Sequence, residues 1–458
     1  MAAEPCRPVL PDHLIEDILG RLPAKLVHGC RCLSRAWAAA LSSDAFADRY
    51  LKLANRRSCP KILFLQDSAY HGPKMHMWSP EHPGGAPLMD IPRDLVRNSF
   101  SHNTINHGVP RLLTQPCRGL VVLQVTGTVS GIYYVCNPST GRLAALPKGR
   151  PTGSSPGQME LGRLSYVSLG FGYDSCTRKH KVVRIHYRSC NPGKDYPLSV
   201  GCEVYVVNST GLWRPSERGV QEKPTGWVDS SQKSVFAHGY MYWLAKMLHA
   251  RTPGSRLAHW LIGYGKPTGQ ECSKAHWLAH RKHRFLPSPE EMFIVSFSLT
   301  NEKFGSVAPP PVSTEKNLQV RHHLTELDGH LCLFCTHVYN KSPRRYHIWL
   351  LRGYETGTWD LHCQIDLARV SPEACKFIYN GHGIVPVATI DNGRCIIFIQ
   401  PRDPPSHTPS FKLCAYDPVT RDIENLMDAT SSVAHKTMTL RHAALYQESV
   451  DSPGSSGK

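Results

Sequence analysis

The chain has 458 residues, 41% hydrophobic and 19% charged, with a formal net charge of +17. That length and apolar share suit one small domain plus one large one and exclude a fibrous or disordered chain. The longest apolar runs, such as Cys395 to Ile399, fall far short of the roughly 18 residues a membrane helix needs, and Pro5, Pro8 and Asp12 stand where a secretory leader would have its apolar core.

Sixteen cysteines are scattered through the chain, several of them inside apolar runs (Cys136, Cys332, Cys395, Cys414). A free thiol there behaves as a small buried hydrophobe, so a reducing cytoplasm or nucleus is expected. The basic balance speaks to partners and solubility rather than to fold.

The first predicted elements are helices. Leu14, Ile15, Ile18, Leu19 and Leu22 recur at helical spacing after Pro11-Asp12, with Asp12 as a cap, Glu16 and Asp17 near the positive end and Pro23 as the stop. Cys30, Leu33, Trp37, Ala40 and Leu41 follow the same period and end at Ser42-Ser43-Asp44, a cap for a further turn carrying Phe46 and Tyr50. Three or four short helices are expected before residue 56. So few residues bury little, and apolar side chains on more than one face imply that part of the unit meets another protein or packs as a cap on the main domain.

Residues 10 to 37, LPDHLIEDILGRLPAKLVHGCRCLSRAW, resemble the F-box through Leu10-Pro11, the Leu14-Ile15 and Ile18-Leu19 pairs, Arg21-Leu22-Pro23 and the Arg31-Cys32-Leu33-Ser34-Arg35 run before Trp37. In that family the stretch binds a Skp-type adaptor, which links to a cullin. The resemblance implies an adaptor-binding set of Leu10, Pro11, Leu14, Ile15, Ile18, Leu19, Leu22, Pro23 and Trp37. One departure stands out: the chain reads Leu26-Val27-His28-Gly29, and a glycine inside a helix costs about 1 kcal/mol, so a weakened adaptor contact is expected.

Beyond residue 56 short apolar strands alternate with Gly, Pro, Asn and Asp. A strand-turn-strand phrase recurs at Tyr133 to Gly141, Phe171 to Thr177, Val204 to Gly211 and Leu413 to Thr420, with looser copies at Ile294 to Phe304 and Ile348 to Trp359. A second phrase places a glycine just before an apolar strand, at Gly119, Gly239, Gly329 and Gly393. Such hairpins over roughly 380 residues point to the blades of a β-propeller, with a β-sandwich as the alternative. CRGLVVL, CNPSTGRLAALP, LGFGYDSCTRKHKVVRI and CEVYVV resemble the kelch-like F-box-associated domain of plant F-box proteins.

Three motifs of possible chemistry are set aside. Gly153-Ser154-Ser155-Pro156-Gly157 has hydrolase spacing, but Pro156 has no N–H for an oxyanion hole. Cys332 and Cys335 have metal spacing, yet an odd offset on a strand sends them to opposite faces, so both are expected to be core thiols. Residues 246 to 284 carry eight Lys or Arg against Glu271 alone; Cys272, His276, His280 and His283 could line one helical face for zinc, and Trp260, Trp277, Arg281 and Arg284 could meet RNA, but a solvated helix is the expectation.

The fold class expected is therefore α+β multidomain, a small all-α F-box followed by an all-β propeller-like domain. The divisions expected are a flexible N-terminus (1–9), the F-box (10–55), the β domain (60–449, with an insertion at about 247–288) and a disordered tail (450–458). The function expected is that of a non-catalytic substrate-recognition subunit of a Skp-cullin-F-box ubiquitin ligase, without cofactor or metal and with an unidentified protein substrate. The alternative is a nucleic-acid-binding or scaffold propeller using the basic insert at 247–284. Closure of the ring requires a strand within Thr437 to Tyr446 to pair with Lys61 to Gln66. Truncation after 450 should then be harmless.

Overall fold

A computed structural model describes residues 12–55, 60–68, 73–92, 95, 110–124, 132–147, 163–189, 199–216, 224, 226–228, 232–247, 292–311, 318–339, 342–370, 384–391, 393–402, 410–428 and 438–454. Gly153 to Gly157 and the basic insert from 248 onward, with its cysteine, histidines and tryptophans, lie outside these residues.

Four helices open the chain: α1 (Asp12–Leu19), α2 (Ala24–Cys30), α3 (Arg35–Ala40) and α4 (Asp44–Ala54). Two starts are explained by serine caps. Ser34 Oγ accepts from the Trp37 N–H at 3.1 Å, and Ser43 Oγ accepts from the Phe46 N–H at 3.2 Å. Gly29 falls in the last turn of α2, where the helix is ending in any case, so its cost is below that of an interior glycine.

Among the described residues beyond the helices, the strands form six antiparallel sheets. The first joins β1 (Lys61–Ser68), β2 (Lys74–Ser79) and β3 (His82–Asp90) to the last strand of the chain, β25 (Met438–Tyr446), in the order β25-β1-β2-β3. The second runs from β4 (Arg111–Leu112) through β5 (Val121–Gln124) and β6 (Tyr133–Asn137) to β7 (Arg142–Ala145), and the third from β8 (Arg163–Asp174) through β9 (Lys179–Ser189) and β10 (Ser199–Val206) to β11 (Arg214–Pro215). In the fourth, β12 (Gly226–Val228) and β13 (Val235–Ala237) both pair with β14 (Tyr240–Met247), followed by β15 (Met292–Ser298) and β16 (Phe304–Val307). The fifth comprises β17 (Leu318–Leu327), β18 (His330–Tyr339), β19 (Ser342–Gly353) and β20 (Thr358–Asp366), and the sixth β21 (Val385–Ile390), β22 (Cys395–Arg402), β23 (Ser410–Asp417) and β24 (Asp422–Asp428).

These sheets are blades of one propeller, because six apolar clusters each join one blade to the next. Leu63 and Leu65 of β1 pack with Val121 and Leu123 of blade 2, while their neighbours Ile62 and Phe64 pack with Ile397 and Ile399 of blade 6. Successive side chains on a strand point to opposite faces, and both faces of each blade are covered. This is why the strands read as continuous apolar runs instead of alternating ones. Cys332 and Cys335 obey the same rule: the first packs toward blade 6 with Phe398, the second toward blade 4 with Leu244. Both are buried thiols whose basicity burial raises, Cys335 to about 12.

Ring closure follows the expected pairing. β25 lies antiparallel to β1, Lys61 opposite Tyr446 and Gln66 opposite Leu440. The glycine phrases are the tight turns leading into the second strand of blades 2, 4, 5 and 6. His238-Gly239 and Asp328-Gly329 hold φ of 49° and 82°, and 52° and 83°, the two consecutive positive values of a type I′ hairpin.

Buried histidines give the fold a pH dependence. His180, His322 and His337 are pushed down to about 3, 4 and 4, mainly by burial. Below their ordinary value of 6.5 the unfolded chain takes up protons that the folded chain refuses, so stability falls as pH drops toward 4. Glu326, raised to about 7 by burial, acts in the opposite sense over part of that range. Each group contributes at most about 1.4 kcal/mol per pH unit. Three against one leaves a loss on the order of 2 kcal/mol between pH 6.5 and 5.5, which urea melts at the two pH values will measure.

Candidate functional site: the helical unit and its seat on the propeller

Leu19, Ala24, Val27, Leu41, Phe46 and Tyr50 form the core of the helical unit. Ile15, Leu22 and Trp37 are half-buried against it. Leu14 and Ile18, one turn apart on α1, instead face outward at 42% and 53% exposure. The nine residues singled out from the sequence therefore divide by role. Leu14, Ile18 and Pro23 are surface, Ile15, Leu19, Leu22 and Trp37 support that surface from below, and Leu10 and Pro11 lie outside the described residues. The structure adds Leu26 and Leu33, exposed at 57% and 69%. These exposed leucines and isoleucines leave apolar surface uncovered on a small unit.

Other residues of the unit are seated on the propeller by the strap at 447–454. Val450 is 2% exposed and completes the helical core. The Glu448 carboxylate accepts from the Ala24 N–H at 2.8 Å, the Lys61 ammonium at 2.8 Å and the Tyr50 hydroxyl at 3.2 Å. It thereby caps α2, whose preceding Pro23 offers no side-chain cap, and anchors that helix to β1. Asn55 bonds the Glu448 backbone twice, accepting from its N–H at 2.7 Å and donating to its carbonyl at 2.8 Å.

From there residues 449–454 run across blades 2 and 3. Asn137, in the turn of CNPSTG, donates to the carbonyls of Ser449 and Asp451, both at 2.9 Å, while its Oδ1 accepts from the Ser139 N–H of its own turn at 3.0 Å. Tyr446 donates or accepts at the Ser139 hydroxyl. Arg118, in CRGL, pairs with Asp48 of α4, lies over the Tyr173 ring at 4.1 Å and approaches Asp451 at 3.7 Å. Arg178 reaches the same Asp48 at 2.6 Å and Asp44 at 3.5 Å. Burial pushes the Asp451 carboxyl up against the opposing field of Arg118.

A disordered tail beginning at 450 is thus incorrect for residues 450–454. Their hydrogen bonds and apolar contacts outweigh the Pro, Gly and Ser composition that suggested disorder.

Gly119 shows why the sequence is as it is. Its φ is +79°, and a Cβ there would stand 2.6 Å from Ser449 Cβ and 2.7 Å from the Gln447 carbonyl. Gly119→Ala should cost about 3 kcal/mol, combining left-handed strain with overpacking of the strap. Gly329→Ala, with open space around it, should cost only the strain, about 1–2 kcal/mol. Paired melts of the two variants will separate the contributions.

Apart from Lys61 at the start of β1, these contacts reach the propeller at the turns after the first strands of blades 2 and 3 and after the third strand of blade 2. The ends of β14 and β15 that bracket the basic insert lie at the opposite face, because strands alternate direction through each blade. Among the described residues no helix is long and apolar enough to cross a membrane, and no three His, Cys, Asp or Glu are grouped to hold a metal.

Comparison with known proteins agrees with this architecture. Residues 8–48 match the F-box domain, and residues 79–253 match the F-box associated beta propeller domain. The chain is 27% identical over 241 residues to the F-box/LRR-repeat protein At2g43260 of Arabidopsis thaliana, a match covering 52% of this chain and 50% of that protein. It is 25% identical over 349 residues to the F-box protein CPR1 of the same plant, covering 75% and 70%. The chain therefore spans only about half the length of the first of these relatives. TolB from Acinetobacter baumannii shares 9% identity at a TM-score of 0.41, covering 90% of this chain and 72% of TolB, a likeness too loose to bear on function. The chain is an F-box domain followed by an F-box-associated β-propeller of six blades, homologous to Arabidopsis F-box proteins.

Proposed function

We propose that the protein is the substrate-recognition subunit of a Skp-cullin-F-box ubiquitin ligase. The observation that carries this reading is that the exposed apolar residues of the helical unit are not those that bond the propeller. Leu14, Ile18, Leu26 and Leu33 are exposed and available to a Skp-type adaptor, while Glu448, Asp48 and Arg118 pin other residues of the unit to the propeller. Adaptor binding then needs no rearrangement of the seat.

A pinned F-box also suits the mechanism. A substrate held on the propeller keeps a set distance and direction from the adaptor, and through it from the cullin-borne ubiquitin carrier, so proximity raises its effective concentration. The protein itself contributes binding and orientation, and the ligase complex contributes the chemistry. We place substrate capture on the propeller face opposite the F-box, where it does not compete with the adaptor.

Proximity labelling in plant cells tests the proposal, comparing the intact protein with Leu14→Asp/Ile18→Asp. Both forms should label one substrate set, and only the intact form should label adaptor and cullin and shorten the substrates' lifetime. Equal adaptor labelling by both forms would refute the proposal.

A further inference from the structure

A cavity of about 310 Å³ lies between α4, the turns of blades 2 and 3 and the C-terminal strap. We propose that it binds a small anion bearing phosphate groups, held jointly by the helical unit and the propeller.

The charge pairing around the cavity carries the inference. Five cationic side chains line it, against the carboxylates of Asp44, Asp48 and Asp451. Arg118 and Arg178 are committed to those acids. Arg31, Arg142 and Lys179 form no ion pair with any described residue. They come from different elements, Arg31 from the end of α2, Arg142 from β7 and Lys179 from β9, so the tertiary structure gathers like charges that the sequence keeps apart.

Arg31 is not free to swing away. Its Nη2 donates to the carbonyls of Leu41 at 2.8 Å and Val450 at 3.1 Å, which leaves Nε buried without a hydrogen-bond partner. Arg118 Nε on the facing wall is buried without a hydrogen bond, its nearest anion being the Asp451 carboxylate at 3.7 Å. Burial and the field of Arg142 lower the basicity of Arg31, and the Asp451 carboxylate offsets them only in part.

The ligand class follows from shape and charge. Planar guanidinium forks match pairs of phosphate oxygens, and an ammonium adds a point charge. The volume is that of a small-molecule site, larger than a single chloride needs and too small for a nucleic-acid strand. Bridging Arg31 of the helical unit to Arg142 and Lys179 of the blades, such a ligand would stiffen the seat of the F-box.

The test is a thermal melt of the full chain titrated with pyrophosphate, inorganic phosphate and glycerol phosphate, with chloride at matched ionic strength as the reference. At least one phosphate compound should raise Tm saturably above chloride, and the ranking of free phosphates against the monoester identifies the source of the group. Arg142→Gln and Lys179→Gln should each weaken the midpoint on the order of ten-fold. Arg421→Gln, exposed and away from the cavity, should leave it unchanged. No saturable shift above chloride would overturn the proposal. So would an equal response in all three variants, since that is the general attraction of a +17 chain for anions.

Discussion

Ile18→Asp should abolish co-purification with a Skp-type adaptor while the propeller melts as before. Ile18 is 53% exposed and one helical turn from Leu14, so in the free protein an aspartate at 18 faces water and leaves the core of Leu19, Val27 and Phe46 intact. In an apolar interface the same carboxylate is desolvated without a partner, costing several kcal/mol, which is a loss of at least about a hundred-fold in affinity. Leu26→Asp, on α2 at 57% exposure, should act in the same direction. Leu19→Asp serves as the contrast: Leu19 is 5% exposed, so its carboxylate should unfold the helical unit and lower adaptor binding for that different reason. Far-UV circular dichroism beside the pull-down distinguishes the two. Undiminished adaptor capture by Ile18→Asp would rule out the exposed apolar side as the docking surface.

A chain ending at 430 should lose the cooperative fold altogether. It lacks β25, which covers β1 from Lys61 to Ser68, and Tyr446, whose buried ring joins the cluster between blades 1 and 2. An apolar strand is then left with an open edge in a ring that can no longer close. The combined loss is comparable with the whole net stability of a domain, about 5–15 kcal/mol, so aggregation or a broad non-cooperative melt is expected. A chain ending at 447 should behave differently. It keeps β25 but loses Glu448, Val450 and Asp451, so the propeller should fold while the helical unit, deprived of its cap and part of its core, becomes sensitive to protease. A chain ending at 454 should match the full length in both assays. If the 430 and 454 chains melted alike, closure by β25 would be wrong.

Much of this architecture was legible in the chain itself, wherever the information is local. The helices of residues 12–54 follow from a 3.6-residue apolar period and from the cap at Ser42-Ser43-Asp44, which depend only on neighbours three or four positions away, although the single period expected from Cys30 to Leu41 is broken by Ser34, the cap of α3. The hairpins follow from glycine and Asn or Asp at turns, because positive φ and Asx bonding are properties of single residues. Even ring closure could be anticipated, since an open propeller has two edges and the chain offered one apolar strand near each end.

What only the tertiary structure decided is which side of each element is used, and for what. Periodicity groups Leu14, Ile15, Ile18 and Leu19 together, but only packing against Phe46 and Val450 separates the two that face water from those turned inward. Composition marked residues 450–458 as disordered, because a sequence window cannot see that Asn137 and Arg118, some 300 residues away, hold Asp451. The convergence of Arg31, Arg142 and Lys179 on one cavity is equally invisible along the chain. The physical reason is the same each time: local propensity is set by covalent neighbours, whereas exposure, ion pairing and cavity charge are set by residues that only the closed ring brings together.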